Sequence, residues 1–118
     1  MIRNCGFGGL SISSNGNVYF CNRIHEVDCF GNVNRDGFLD VLAKGKQVLN
    51  DTAVENITPC QDCSLRYICG GDCRIDNFNF KGHLKSWNKE YVQTRCTDEF
   101  KERLIKKMVD SFTFYYNV

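Results

Sequence analysis

The sequence predicts an α+β fold, a small cysteine-rich domain stapled by metal, and three observations carry that expectation. Residues 5–33 read as β structure around an Asn-Gly turn. Residues 97–113 read as an amphipathic helix. Eight cysteines fall within only 118 residues, beside a single proline and two histidines. At this length the chain, 1–118, has the size of one domain with a modest core, hiding roughly two thirds of its unfolded surface.

The β element comes first. Leu10-Ser11-Ile12-Ser13 alternates apolar with polar, and Val18-Tyr19-Phe20 is β-branched and aromatic. Between them Ser14-Asn15-Gly16-Asn17 contains Asn-Gly, whose residues both tolerate the positive φ of a tight hairpin turn. Closing this hairpin brings Cys5 towards Cys21. Gly6, Gly8 and Gly9 let the entering backbone bend closely around something. A second extended segment, Ile24 to Val33, carries Cys29 and then Gly31-Asn32, another turn pair.

A helix is expected over about 37–50. Asp36 offers an N-cap, and Leu39, Leu42, Ala43 and Leu49 give an apolar face that Gly45 weakens. Residues 51–59 read as a loop into the cysteine-dense stretch 60–73, expected as short helical turns. Residues 77–88, with Phe78, Phe80 and Trp87, are aromatic but aperiodic and predict no element. In the C-terminal helix Thr97 is the cap, and Asp98 and Glu99 sit at the positive end with Lys106 and Lys107 in later turns. Phe100, Leu104, Met108 and Phe112 recur every four residues on one face.

Composition narrows the function classes. Fifteen basic against fourteen acidic residues leave a net charge of +1, no electrostatic footprint for nucleic acid or an anionic membrane. No run approaches the ~20 apolar residues of a membrane span, and no apolar signal-peptide core follows Met1-Ile2-Arg3-Asn4-Cys5. The expected location is the cytoplasm. There dense cysteine means metal or redox chemistry more often than disulfides.

The central motif is Cys60-Gln61-Asp62-Cys63, then Cys69-Gly70-Gly71-Asp72-Cys73, a spacing of C-x2-C-x5-C-x3-C. A two-residue gap lets two thiolates converge on one centre from a single turn of chain, a device that zinc and iron–sulfur proteins share. The spacing therefore says metal without choosing the metal. One zinc takes four ligands and leaves four cysteines over, while two zincs or two clusters use all eight. The glycines beside Cys5, Cys69 and Cys73 suit close backbone approach to a bulky anion such as a [4Fe–4S] cluster, and equally suit tight turns. A structural zinc module with four cysteine ligands and no redox role remains the alternative, and zinc can also enter cluster sites during aerobic expression.

The pattern Cys5-x10-Gly16-x4-Cys21, then Cys60-x2-Cys63-x5-Cys69-x3-Cys73, then Cys96, resembles the seven-cysteine signature of SPASM domains. These are auxiliary iron–sulfur extensions of radical S-adenosylmethionine enzymes that modify peptides and proteins, anaerobic sulfatase maturases among them. Cys69-Gly70-Gly71-Asp72-Cys73-Arg74 is similar to the end of that family's central motif. Gly31-Asn32-Val33 resembles the segment such domains place before their helix. The resemblance implies two [4Fe–4S] clusters. Cys60, Cys63, Cys69 and Cys96 would hold one, and Cys5, Cys21 and Cys73 the other, with Cys73 crossing from its own motif to the neighbouring site. Cys29 lies outside the signature; it is either the fourth ligand of the second cluster or a small buried hydrophobe.

The implied role is electron transfer and peptide positioning for a radical S-adenosylmethionine catalytic domain, in the same parent chain or a separate one, acting on a peptide or protein substrate. The C-x3-C-x2-C loop that cleaves the cofactor is missing, because Asp76 stands where its third cysteine would fall. No catalytic residue is expected in this chain. His25 and His83 read as solvated, and Arg66 and Arg74 as surface arginines able to offset cluster charge.

Overall fold

The structure is a computed structural model, and it describes residues 1–24, 27–78 and 96–116. The hairpin closes at Asn15-Gly16 as expected, but only Gly16 takes a positive φ, 89°, and Asn15 does not. The Gly16 N–H donates to the Ser13 carbonyl at 2.9 Å, and the Ser13 N–H donates to the Asn17 carbonyl at 2.9 Å. β1 (Ser11–Ile12) thereby lies antiparallel to β2 (Asn17–Tyr19), with Ser11 opposite Tyr19 and Ile12 opposite Val18. β3 (Gly31–Asn32) adds to the other edge of β2, giving the antiparallel order β1-β2-β3. The α+β fold class is borne out: a three-stranded sheet, short helices and a C-terminal helix.

Gly31-Asn32 is thus a strand end and not a turn. Asn32 caps the four-residue helix α1 (Val33–Asp36) by accepting from the Asn34 N–H at 2.9 Å. Gly16 makes this junction possible. Its φ of 89° directs its carbonyl to the Val33 N–H at 2.9 Å, and a Cβ there would lie 2.9 Å from the Asn32 Oδ1.

Helix α2 (Phe38–Asp51) starts from Gly37, not from a side-chain cap. Asp36, expected as the cap, instead accepts from the Asn32 N–H at 2.9 Å and pairs with Arg35 at 2.9 Å. The buried face also differs from the leucine face. Val41 and Gly45 are buried and Val48 half-buried, whereas Leu39 is 77 % exposed and Leu42 and Leu49 stand at the surface. The reason is the close approach of two backbones. A Cβ on Gly45 would lie 2.5 Å from the Gly8 carbonyl oxygen, and one on Gly8 would lie 2.5 Å from the Leu49 nitrogen. The residue that lowers helix propensity therefore fixes which face turns inward.

The core joins Phe7 and Phe20 of the hairpin to Val27, Val54, Ile57, Cys60 and Ile75. Phe20 stacks on Phe30 with ring centroids 3.5 Å apart. Two single 3-10 turns, Val54–Asn56 and Cys60–Asp62, lead to α3 (Arg66–Cys69), which ends at Gly70 in the left-handed region. Helix α4 (Arg74–Phe78) follows. The cysteine motif is accordingly built as short turns, as expected, and Cys60 is itself part of the core.

Helix α5 (Asp98–Tyr116) is capped by Thr97, whose Oγ1 accepts from the Phe100 N–H at 3.1 Å. Only the first part of its apolar stripe is covered. Phe100 and Leu104 are half-buried, while Met108 and Phe112 face outward. Among the described residues no helix is long and apolar enough to cross a membrane. The histidines His25 and His83, and the aromatics Phe80 and Trp87, lie outside the described residues.

Candidate metal-cofactor site

Cys60, Cys63, Cys69 and Cys96 line one cavity. The 3-10 turn Cys60–Asp62 closes with the Cys63 N–H donating to the Cys60 carbonyl at 3.0 Å, which sets the first two thiols one tight turn apart. Cys69 arrives at the end of α3, its N–H on the Leu65 carbonyl at 2.9 Å. Cys96 is delivered by the start of α5, one residue before the Thr97 cap. Leu65, Phe100 and Leu104 give the cavity an apolar wall, and Arg66 and Lys101 bring two cations to it.

The four thiols also act on one another electrostatically. Burial pushes the Cys60 thiol up to about 11; the Arg74 cation pulls it back, and the fields of Cys69, Cys96 and Cys63 raise it further. Cys69 is raised as well, first by burial, with a hydrogen bond from the Gly71 backbone opposing it. Such thiols must lose their protons to bind metal, so a cation nearby favours the ligating form.

Arg23 and Arg74 tie together the segments that carry Cys5, Cys21 and Cys73. The Arg23 backbone N–H approaches Cys21 Sγ at 3.5 Å, while its Nη1 donates to Cys73 Sγ at 3.3 Å and to Asp76 Oδ1 at 2.7 Å. Cys5 is exposed, on a segment pinned by Asn4. The Asn4 Oδ1 accepts from the Gly6 and Phe7 N–H groups, and its Nδ2 donates to the Leu49 carbonyl and the Thr52 hydroxyl. Cys5 and Cys73 both fall within the field of Arg74. Cys29 is exposed rather than a buried hydrophobe; its Sγ lies 3.2 Å from the Gly31 carbonyl oxygen, and it lies within the field of Arg35.

Arg74 corrects the sequence reading outright. Expected at the surface, it is fully buried. Its guanidinium donates to the backbone carbonyls of Thr52, Gly70, Asp72 and Arg3. Nothing local marks it for burial except its place directly after Cys73. Arg23, whose contact with Cys73 joins residues far apart in the chain, carried no signal at all.

The donor set fits an iron–sulfur group. Four soft thiols, with no carboxylate or imidazole among the residues lining the cavity, are the ligands such clusters take. The apolar wall supplies the water-excluding shell that tunes them. Four cysteines are also a complete ligand set for a structural zinc ion, so the donor set by itself admits both groups.

Fold and donor set together define a cysteine-ligated metal-cofactor domain. Comparison with known families makes the class specific: SPASM, an iron–sulfur cluster-binding domain, matches residues 4–64. The chain belongs to the SPASM family. That match takes in Cys5, Cys21, Cys29, Cys60 and Cys63, and Cys69 and Cys96, beyond it, line the same cavity as Cys60 and Cys63. A 65-residue stretch is also 34% identical to one component of the ATP-dependent helicase/deoxyribonuclease of Lachnoclostridium phytofermentans, over 53% of this chain and 6% of that protein. The chain thus spans a small fraction of that relative. No solved structure matches it.

Proposed function

We propose that the chain holds two [4Fe–4S] clusters and serves as the electron-transfer and peptide-positioning part of a radical S-adenosylmethionine maturase. The observation that carries this reading is the single cavity lined by Cys60, Cys63, Cys69 and Cys96, which unites the central motif with a cysteine at the head of the C-terminal helix. The second cluster belongs to Cys5, Cys21 and Cys73, with Cys29 as the candidate fourth ligand. The Arg23 guanidinium on Cys73 Sγ ties the segment after Cys21 to Cys73, and Arg74, on the Asp72 and Arg3 carbonyls, ties the segment before Cys5 to the same motif, which supports that assignment.

Bound clusters of this kind supply one-electron chemistry. The chain's own part is to fix the ligands on short turns, exclude water with Leu65, Phe100 and Leu104, and place cations beside the thiolates. A catalytic domain carrying the cofactor-cleaving loop is the partner this role requires, with a peptide or protein as substrate, in the cytoplasm.

The test is iron, zinc and acid-labile sulfide per chain after anaerobic preparation and reconstitution. Two [4Fe–4S] sites give about eight iron and about eight sulfide. Two zinc with no sulfide, persisting through reconstitution, would replace this reading with a structural zinc module. Cys60→Ala and Cys63→Ala should each cost one cluster, and full iron retention in both would sink the ligand assignment.

A further inference from the structure

Arg74 is the charged side chain least expected in so small a core. Its Nε and Nη2 donate to the Thr52 carbonyl at 2.9 and 2.7 Å. Its Nη1 donates to the carbonyls of Gly70 at 2.9 Å and Asp72 at 2.8 Å, and Nη2 reaches the Arg3 carbonyl at 3.4 Å. These acceptors come from three stretches of chain: the segment entering Cys5, the loop after α2, and the cysteine motif. Gly71 is packed directly on the guanidinium, since a Cβ there would lie 2.6 Å from Nη1. The cation is held in one orientation and cannot swing to solvent.

Its position is as specific as its fixation. Its acceptors Gly70 and Asp72 adjoin Cys69, of the cavity, and Cys73, of the other set, while Arg3 lies two residues before Cys5. It is therefore common to both groups of thiols. An arginine does not deprotonate in proteins, so this charge is constant. Burying a cation is costly unless it is compensated, and carbonyl dipoles compensate only in part. Anionic thiolate-ligated groups, when bound at the two cysteine sets, would complete the compensation.

We infer that Arg74 is a positioning residue shared by the two cysteine sites, whose buried charge raises the reduction potential of the group held in each and so tunes both together. The inference rests on the two-cluster reading above. Each site gains one negative charge when it accepts one electron, from [4Fe–4S]2+ to [4Fe–4S]1+, and a fixed cation in a low-dielectric interior favours that reduced form.

The experiment is a dithionite titration, followed by electron paramagnetic resonance, of the full chain after reconstitution, for wild type, Arg74→Gln and Arg74→Lys. Dithionite supplies the one electron per site. With both clusters retained, R74Q should shift each reduction equilibrium at least tenfold towards the oxidised form, a fall of about 59 mV per tenfold for one electron. R74K should restore most of that shift. An R74Q chain with full iron and unchanged midpoints, or with only one midpoint moved, would overturn the inference. If R74Q loses iron, R74K decides: wild-type midpoints uphold the charge, whereas loss of iron together with a lowered thermal transition assigns Arg74 to the scaffold alone. A wild-type chain that never takes up about eight iron and eight sulfide fails earlier, and overturns the cluster reading itself.

Discussion

Replacing Gly45 by alanine sets two effects of known size against each other. In an unobstructed helix interior the change stabilises, by about 0.8–1.0 kcal/mol, because glycine is the poorer helix former. Here the new Cβ would lie 2.5 Å from the Gly8 carbonyl oxygen and 2.7 Å from the Leu10 Cδ2. The leucine can rotate away, but the carbonyl belongs to backbone and cannot move alone. Overpacking of this kind costs about 1–3 kcal/mol. Against backbone that cannot yield, the upper half of that range applies, and the net expectation is a loss of about 1–2 kcal/mol, the opposite sign to the propensity rule. With a urea dependence of about 2 kcal/mol per molar, the midpoint should fall by about 0.5–1 M. The Gly8→Ala change meets the same interface from the other side, at a φ of 110°, so the double variant should cost less than the sum of the two. Urea unfolding of the reconstituted chain, followed by far-UV circular dichroism, reads all three. A G45A chain as stable as wild type would show that α2 is free to shift, and would refute the claim that backbone contact selects its inward face.

Three further outcomes follow from other contacts. Thr97→Ala removes the oxygen that accepts the Phe100 N–H and should cost about 1 kcal/mol; because Cys96 adjoins the cap, chelator-driven iron loss should quicken, and an unchanged rate would separate the cap from the site. Leu104→Ala opens the apolar wall of the four-cysteine cavity, so iron release to a chelator should speed up severalfold while the initial iron content stays at the wild-type level. Glu55 is held below its ordinary value chiefly by the Arg3 guanidinium at 2.8 Å, with the Tyr67 hydroxyl assisting against burial. A lowered carboxylate stabilises above its unfolded pKa and loses that contribution as pH falls through the folded one. The urea midpoint of Glu55→Gln should therefore lie below wild type at pH 7, and the gap should narrow on acidification below the ordinary carboxylate value of 4.5; a gap independent of pH would remove the ion pair as its cause.

Much of this architecture was legible in the chain because it depends on neighbours in sequence. The hairpin turn needs only a glycine that accepts positive φ, at Gly16. The Thr97 cap needs one oxygen three residues before an unpaired N–H. The C-x2-C spacing brings Cys60 and Cys63 onto one turn whatever surrounds them. The leucines of α2 misled because periodicity records which residues are apolar and not which approach is sterically open. Gly8 and Gly45, far apart in sequence, settle that approach, and the smaller Val41 and Val48 follow them inward. The stripe of α5 misled for a related reason: its period continues to Phe112, but the described body covers it only as far as Leu104.

By itself, then, the sequence determined the hairpin, the Thr97 cap, the donor type and the family resemblance, all set by local spacing and by thiol chemistry. Only the tertiary structure decided that Arg74 is buried and that Arg23 reaches Cys73; the resemblance already implied that Cys96 joins Cys60, Cys63 and Cys69, and the fold sets all four on one cavity. Each of those depends on distant segments meeting. A guanidinium is buried only where carbonyls from several stretches of chain converge on it, and four thiols share a cavity only where the fold returns the chain to close its wall.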